Sequence, residues 1–500
     1  MTDVQTGLEI VTLETPSLGD RSYLAIADGW AVAIDPQRDI DRVERVLADS
    51  GLRLGAVLET HLHNDYVTGG RALALRNRAT YAVPAGPRIS YEARRVADGD
   101  ELRVGPLVVR VIDAPGHTDA HAAYGVTQDG DVAGAVFTGG SLLLGGAGRT
   151  DLMGLERAET LARAQYRSVR RLGASLPAAT LVCPTHGFGS YCAAGSPTGG
   201  GATIGDQRRA NPAFRLDEDA FVDRLLQSLR PYPRYFASMA PRNAWFPTAA
   251  NLGPVPEVPL DEVLALAAAA GAHGAGPDDA PVILDVRPRS AYAAGHVAGS
   301  LHIDGRGSLA TWFGWLEPIT TEVVLVASSP AEASSAQREL LRIGVDAIVG
   351  ACIAPDLTSD PAVAQLPAVA ILRRSSFRDL VTELGLGEDI VVLDVREADE
   401  RRALRIAGSI GVPLHELPDA DLESLRGRNV WVHCAAGFRA TIAASILERA
   451  GIRCAIVDDL IDVAAELGLA GVPEPDEDAT AVDAEHAGVP ARPVVAPIAA

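Results

Sequence analysis

The chain has 500 residues, 47% of them hydrophobic and 22% charged, with 65 acidic against 44 basic side chains for a net charge of −21. That length exceeds the roughly 250–300 residues one hydrophobic core serves, so several domains are expected. The acidic balance speaks against nucleic acid or an anionic membrane as partner, and five cysteines without regular spacing speak against a disulfide scaffold. No apolar run of about 18 residues is present to span a membrane, and no signal peptide is read ahead of the first strands. A reducing cytoplasm is the expected location.

The first informative element follows the apolar run 54–58. ETHLHNDYVTGG (59–70) puts His61, His63 and Asp65 on alternate positions as that run gives way to glycines. In an extended chain, residues two apart project the same way, so three side chains of ligand type are expected to converge at a strand end. A neutral imidazole is the commonest metal ligand. Two later elements repeat the pattern: His117 in APGHTDAH (114–121) follows the alternating LVVRVIDAP, and His186 in LVCPTHGFGS (181–190) closes another apolar run. His61, His63 and His117 can form a three-nitrogen site with open positions, as a catalytic metal requires. Asp65 and His186 are candidates for a neighbouring role or a second site.

HxHxD, then PGHT, then PTHG resembles the metallo-β-lactamase superfamily, and within it the glyoxalase II-like branch that contains the persulfide dioxygenases. AIDPQRD (33–39), FTGGSLLLGGAGRTDL (137–152) and GDQRRANPAF (205–214) extend the resemblance from about residue 8 to about 250. It implies an αββα sandwich. The sequence departs from that pattern twice, with Tyr66 where the superfamily has a histidine and Gly140 where it has a bridging aspartate. With those second-site ligands gone, one metal ion per chain is expected. Persulfide dioxygenases hold Fe(II) by two histidines and a carboxylate. That carboxylate maps to Gly140, so Fe(II) on three histidines is the leading cofactor and Zn(II) the alternative.

Beyond 250 the Pro/Gly-rich NLGPVPEVP (251–259) reads as a linker. An internal repeat follows. VILDVRPRSAYAAGHVAGS (282–300) and VVLDVREADERRALRIAGS (391–409) align without gaps, Asp285 with Asp394 and Ser300 with Ser409, each 109 residues apart. This predicts two tandem α/β domains of about a hundred residues. LDVR with its following AGS turn resembles the rhodanese sulfurtransferase domain. In the second copy, NVWVHCAAGFRATIAASILERAG (429–451) takes an apolar strand into Cys434, a short loop and a helix. The backbone amides and dipole at a helix start favour an anion. Arg439 adds positive charge, so Cys434 is expected to be a reactive thiolate that accepts sulfane sulfur. The first copy has Ser328 near the matching position and no following arginine, so it is expected to be noncatalytic.

The expected organisation is therefore a metallo-β-lactamase αββα domain (1–250), a rhodanese-like domain without a catalytic cysteine (251–360), an active rhodanese domain (361–470) and a disordered tail (471–500). The expected function is oxidation of a glutathione-like persulfide to sulfite at the metal, with sulfane sulfur passing through Cys434 to or from thiosulfate, sulfite or a thiol. Two alternatives stand beside it: a glyoxalase II-like thioester hydrolase fused to a sulfurtransferase, and a sulfurtransferase with a degenerate front module. Homo-oligomerisation stays open.

Overall fold

The computed structural model describes residues 7–129, 134–194, 202–273, 280–386 and 389–472. The expected tail lies outside these from residue 473 onward. The chain divides into two compact units. One comprises Met1–Leu260, Ala275–Val282 and Gly305–Ala354; the other comprises Asp261–Gly274, Ile283–Asp304 and Pro355–Ala500. Among the described residues no helix is long and apolar enough to cross a membrane.

In the first unit, one sheet runs in chain order through Glu9–Thr15, Asp20–Ala27, Trp30–Ile34, Arg53–Leu58, Thr80–Pro84 and Arg94–Val96. A second has the order Leu181–Pro184, Ala135–Gly139, Ala122–Gln128, Leu107–Asp113, Glu101–Val104. Alternation along the strands decides the layers. Tyr23, Ala25 and Ala27 join Val32, Ile34, Val109, Tyr124 and Phe137 in the core between the sheets. Leu24 and Ile26 face the other way, onto Val43 and Leu47 of helix Asp41–Asp49 and Leu73 of helix Gly70–Asn77. The outer face of the second sheet, including Ile112 and Val136, packs on Ala162, Val169 and Leu172 of helix Ala158–Ser175. Each large aliphatic side chain so buried contributes about 1.5–3 kcal/mol. The result is an αββα sandwich.

This unit also contains part of the first LDVR copy. Strands Val323–Ala327 and Ile348–Ile353 pair in parallel. The Pro-rich 251–259 stretch is bonded to their edge: the Val258 amide donates to Ala351 O at 2.9 Å and the Ala351 amide to Pro256 O at 2.8 Å. Helix Pro330–Arg342 is anchored by Arg342 to Asp39 (2.7 Å) and Arg338 to Asp41 (2.6 Å). The Val67 amide, in the histidine-rich loop, donates to Arg342 O at 2.7 Å.

The second unit is built on an all-parallel sheet, ordered Arg373–Ser375, Cys454–Val457, Asn429–His433, Ile390–Asp394, Ile410–Gly411. Fully buried Trp431 sits in its core with Phe377, Leu380 and Ile406. The repeat has a structural cause. Arg396 bonds Asp394 and Leu404 O, and Arg287 bonds Asp285 and Gly295 O, so each LDVR arginine ties its strand to the following turn.

Candidate metal centre and reactive cysteine

The strands Arg53–Leu58 and Leu181–Pro184, and the segment after Leu107–Asp113, deliver His61, His186 and His117 to one spot. One nitrogen of each lies within 4.8 Å of the others, and all three side chains are buried. Their outer nitrogens are spoken for. His117 Nδ1 donates to Arg149 O at 2.8 Å. The Thr60 hydroxyl donates to Asp35 at 2.8 Å, so it accepts from His61 Nδ1 at 2.9 Å. His186 Nδ1 meets Asp20 Oδ1 at 2.8 Å and Asp65 Oδ2 at 3.2 Å. Each ring therefore presents Nε2 inward, the tautomer and support that metal-ligating histidines have. His117 Nε2 is buried without a hydrogen-bond partner, and His61 Nε2 and His186 Nε2 face each other at 3.5 Å. Orphaned, converging imidazole nitrogens fit a divalent metal ion.

The electrostatics divide the set. Burial, reinforced by neighbouring histidines, pushes His61 and His117 well below the usual imidazole range, so both are neutral ligand forms. Burial acts the same way on His186, but Asp65 and Asp20 outweigh it and raise it well above that range. Burial and the nearby Asp65 charge push Asp20 up to about 8. Against its own burial, Asp65 is held well below the carboxylate range by His186 and His63.

His63 is not brought into this set. Its Nε2 lies 3.2 Å from Asp35 Oδ1 and 3.5 Å from Glu59 Oε2, and its ring stacks on Tyr66 with centroids 4.4 Å apart. The reason is local. The strand ends at Leu58, and 59–67 is a succession of bends, so the two-residue alternation of extended chain does not carry through. Asp65 sits on the outer side of His186. Tyr66 is buried and donates to Asp35 O at 3.3 Å. His121 accepts from the Gly140 amide at 3.1 Å and is kept neutral by burial.

In the second unit, strand Asn429–His433 ends at Cys434 and helix Phe438–Arg449 begins four residues later, with Gly437 at φ +84° making the turn. Cys434 is buried. The amides of 435–439 donate to no carbonyl among the described residues, which leaves a ring of donors for an anionic sulfur. Arg439 forms a bidentate pair with Glu400 at 2.6 and 2.7 Å, which raises its pKa despite burial. Glu397, beside Glu400, accepts from His415 at 3.2 Å. The first copy differs in its backbone: after Val323–Ala327, only Ser328 and Ser329 precede the helix. There the Glu332 carboxylate takes the Ser328 amide that an anion would need.

The Rhodanese-like domain family matches residues 268–350 and 378–459. The mitochondrial persulfide dioxygenase of Bos taurus is 30% identical over 234 residues, covering 45% of this chain and 81% of that protein. The crystal structure of a metallo-beta-lactamase from Staphylococcus aureus subsp. aureus COL superimposes with a TM-score of 0.60 at 25% identity, over 69% of this chain and 98% of that one. The chain belongs to the metallo-β-lactamase-fold family and carries two rhodanese-like domains. A hydroxyacylglutathione hydrolase from Cupriavidus taiwanensis is 40% identical over 144 residues, and there the chain spans 53% of the relative's length.

Three contacts of this metallo-β-lactamase-fold chain arise only from the tertiary fold. Asp20, at the start of its strand, orients His186 from 166 residues away. Buried Asn243 donates to His63 O and Tyr66 O and accepts from the Thr68 amide, all at 2.9 Å, clasping the histidine loop. Gly140 has no room for a side chain, because a Cβ there would fall 2.2 Å from His117 Cδ2. The left-handed glycine is its neighbour, Gly139, at φ +53°. Arg149 and Asp151, by contrast, form a buried bidentate pair at 2.7 Å that pins the loop between Tyr191 O and Arg230 O.

Proposed function

We propose that this chain processes sulfane sulfur: the first unit oxidises a low-molecular-weight, glutathione-like persulfide to sulfite, and Cys434 carries sulfane sulfur to or from thiosulfate, sulfite or a thiol. The carrying observation is the inward convergence of His61, His117 and His186, each fixed at Nδ1 by a neighbour. Those three residues would hold one Fe(II) per chain, with Zn(II) the alternative. The ion would supply a Lewis-acidic centre with open positions for O2 and a thiolate-type ligand. Neutral His61 and His117 leave its charge available to an anionic persulfide. Asp20 and Asp65 hold His186 in place. In balance, the outer sulfur is oxidised to sulfite by O2, water supplies the third oxygen, and the carrier leaves as a free thiol. At the second centre, Cys434 attacks within its ring of amides, Gly437 sets the turn, and Arg439 is held in register by Glu400. Five free cysteines suit a reducing, cytoplasmic setting.

The hydroxyacylglutathione hydrolase likeness and the second cluster of His63, Asp65 and His186 favour thioester hydrolysis at two metals as the other reading. Against it, Asp65 meets His186 at Nδ1, the nitrogen turned away from the three-imidazole centre. Iron-loaded full-length protein given glutathione persulfide in an oxygen electrode tests the proposal. O2 uptake matched by sulfite formation is expected. Absence of uptake, together with hydrolysis of a glutathione thioester, would replace it with the hydrolase.

A further inference from the structure

The cation next to Cys434 in sequence is electrically balanced, because Arg439 is matched one to one by Glu400. On the other flank of the loop the balance is different. A Cβ on Gly437 would fall 2.0 Å from Asp458 Oδ1, so this carboxylate lies directly against the turn. Asp458 is only 3% exposed and takes two arginines: Arg289 Nε at 2.9 Å on Oδ1, and Arg374 Nε on Oδ2. Two guanidinium groups on one carboxylate leave a net positive charge beside the loop. Both arginines bond Asp458 through Nε, and their side chains are 33% and 49% exposed. Their Nη groups meet no acceptor among the described residues. A planar guanidinium fork with free N–H groups suits a bidentate oxyanion.

We propose that Arg289 and Arg374 form the docking edge for the sulfonate end of thiosulfate at Cys434. Arg289 comes from the first LDVR copy, so the copy without a catalytic cysteine supplies substrate binding to the other. This inference rests on the reading of Cys434 as the sulfur acceptor. In the step it serves, the Cys434 thiolate attacks the outer sulfur of thiosulfate and a new S–S bond forms. The old S–S bond breaks, and sulfite leaves with the bonding pair. The product is a Cys434 persulfide anion, and no further oxidant or reductant is required. The leaving sulfite bears two negative charges, which the paired arginines stabilise.

The test compares full-length wild type with Arg289→Ala, Arg374→Ala and the double variant, using thiosulfate and a sulfonate-free alkyl persulfide as donors and cyanide as acceptor. Charged hydrogen bonds of this kind make the thiosulfate KM rise about 10-fold or more in the double variant, with kcat changed less than about threefold. The KM for the sulfonate-free persulfide should move less than about threefold, and arginine-to-lysine variants should recover part of the thiosulfate loss. An unchanged thiosulfate KM, or equal losses with both donors, would overturn the docking role and leave the arginines as supports of Asp458. If wild-type Cys434 gains no sulfur from either donor, the acceptor reading itself fails and this inference falls with it.

Discussion

Replacing Asn243 with alanine removes three hydrogen bonds, each of 2.9 Å, from the loop that carries His61, His63 and Asp65. The site is fully buried, so His63 O, Tyr66 O and the Thr68 amide would lose their partner with no water to replace it. At about 1 kcal/mol net per bond, the loss is about 3 kcal/mol, and stranding three buried polar groups can make it larger. For a unit of more than 300 residues that corresponds to a fall in melting temperature of about 4–5 °C. Asn243→Asp keeps the acceptor for Thr68 but turns an oxygen toward two carbonyls, so its loss should equal or exceed that of alanine. The assay is a thermal melt of the full chain followed by metal analysis after iron loading. Both variants should melt earlier and retain less metal. A melt within about 2 °C of wild type with full metal content would refute the view that Asn243 holds the loop.

Further expectations follow from other residues. Cys434→Ser should abolish thiosulfate:cyanide sulfur transfer while leaving metal content unchanged, and mass spectrometry should find one added sulfur atom on the wild-type peptide alone. Gly140→Asp should lower iron content rather than raise it, because its Cβ would collide with the His117 ring; metal analysis of the folded variant decides. His302 is buried and its pKa is lowered to about 4 from 6.5, with burial the main cause. The folded state therefore binds fewer protons, and this contribution is present above pH 6.5 and lost as pH falls from there toward 4. The loss is about 3 kcal/mol at most. Denaturant midpoints of the second unit should drop across that window, and less so in His302→Gln.

Much of this was legible in sequence. The αββα layers follow from alternating strands, and the 109-residue offset reflects two Asp–Arg pairs doing the same job, Asp285 with Arg287 and Asp394 with Arg396. His61, His117 and His186 were recognisable as ligand types at strand ends. What was not legible depends on contacts distant in sequence or on backbone departures. Alternation suggested that His63 shares a face with His61, but the bends after Leu58 turn it to Asp35 and Glu59. Asp20 carries no local signal, since it becomes a partner of His186 only when two sheets close on each other. The attachment of 305–354 to the metal unit rests on pairs such as Val67 with Arg342, and no short-range pattern encodes them.

Metal content of three full-length variants, His63→Ala, His117→Ala and His186→Ala, measured after identical iron loading and desalting, tests the centre most directly. A site made of His61, His117 and His186 loses most of its metal when His117 or His186 is removed, because a three-ligand site cannot spare a third of its donors. It keeps most of its metal in His63→Ala. An empty His63→Ala beside a fully loaded His186→Ala would contradict the account and return His63 to the metal.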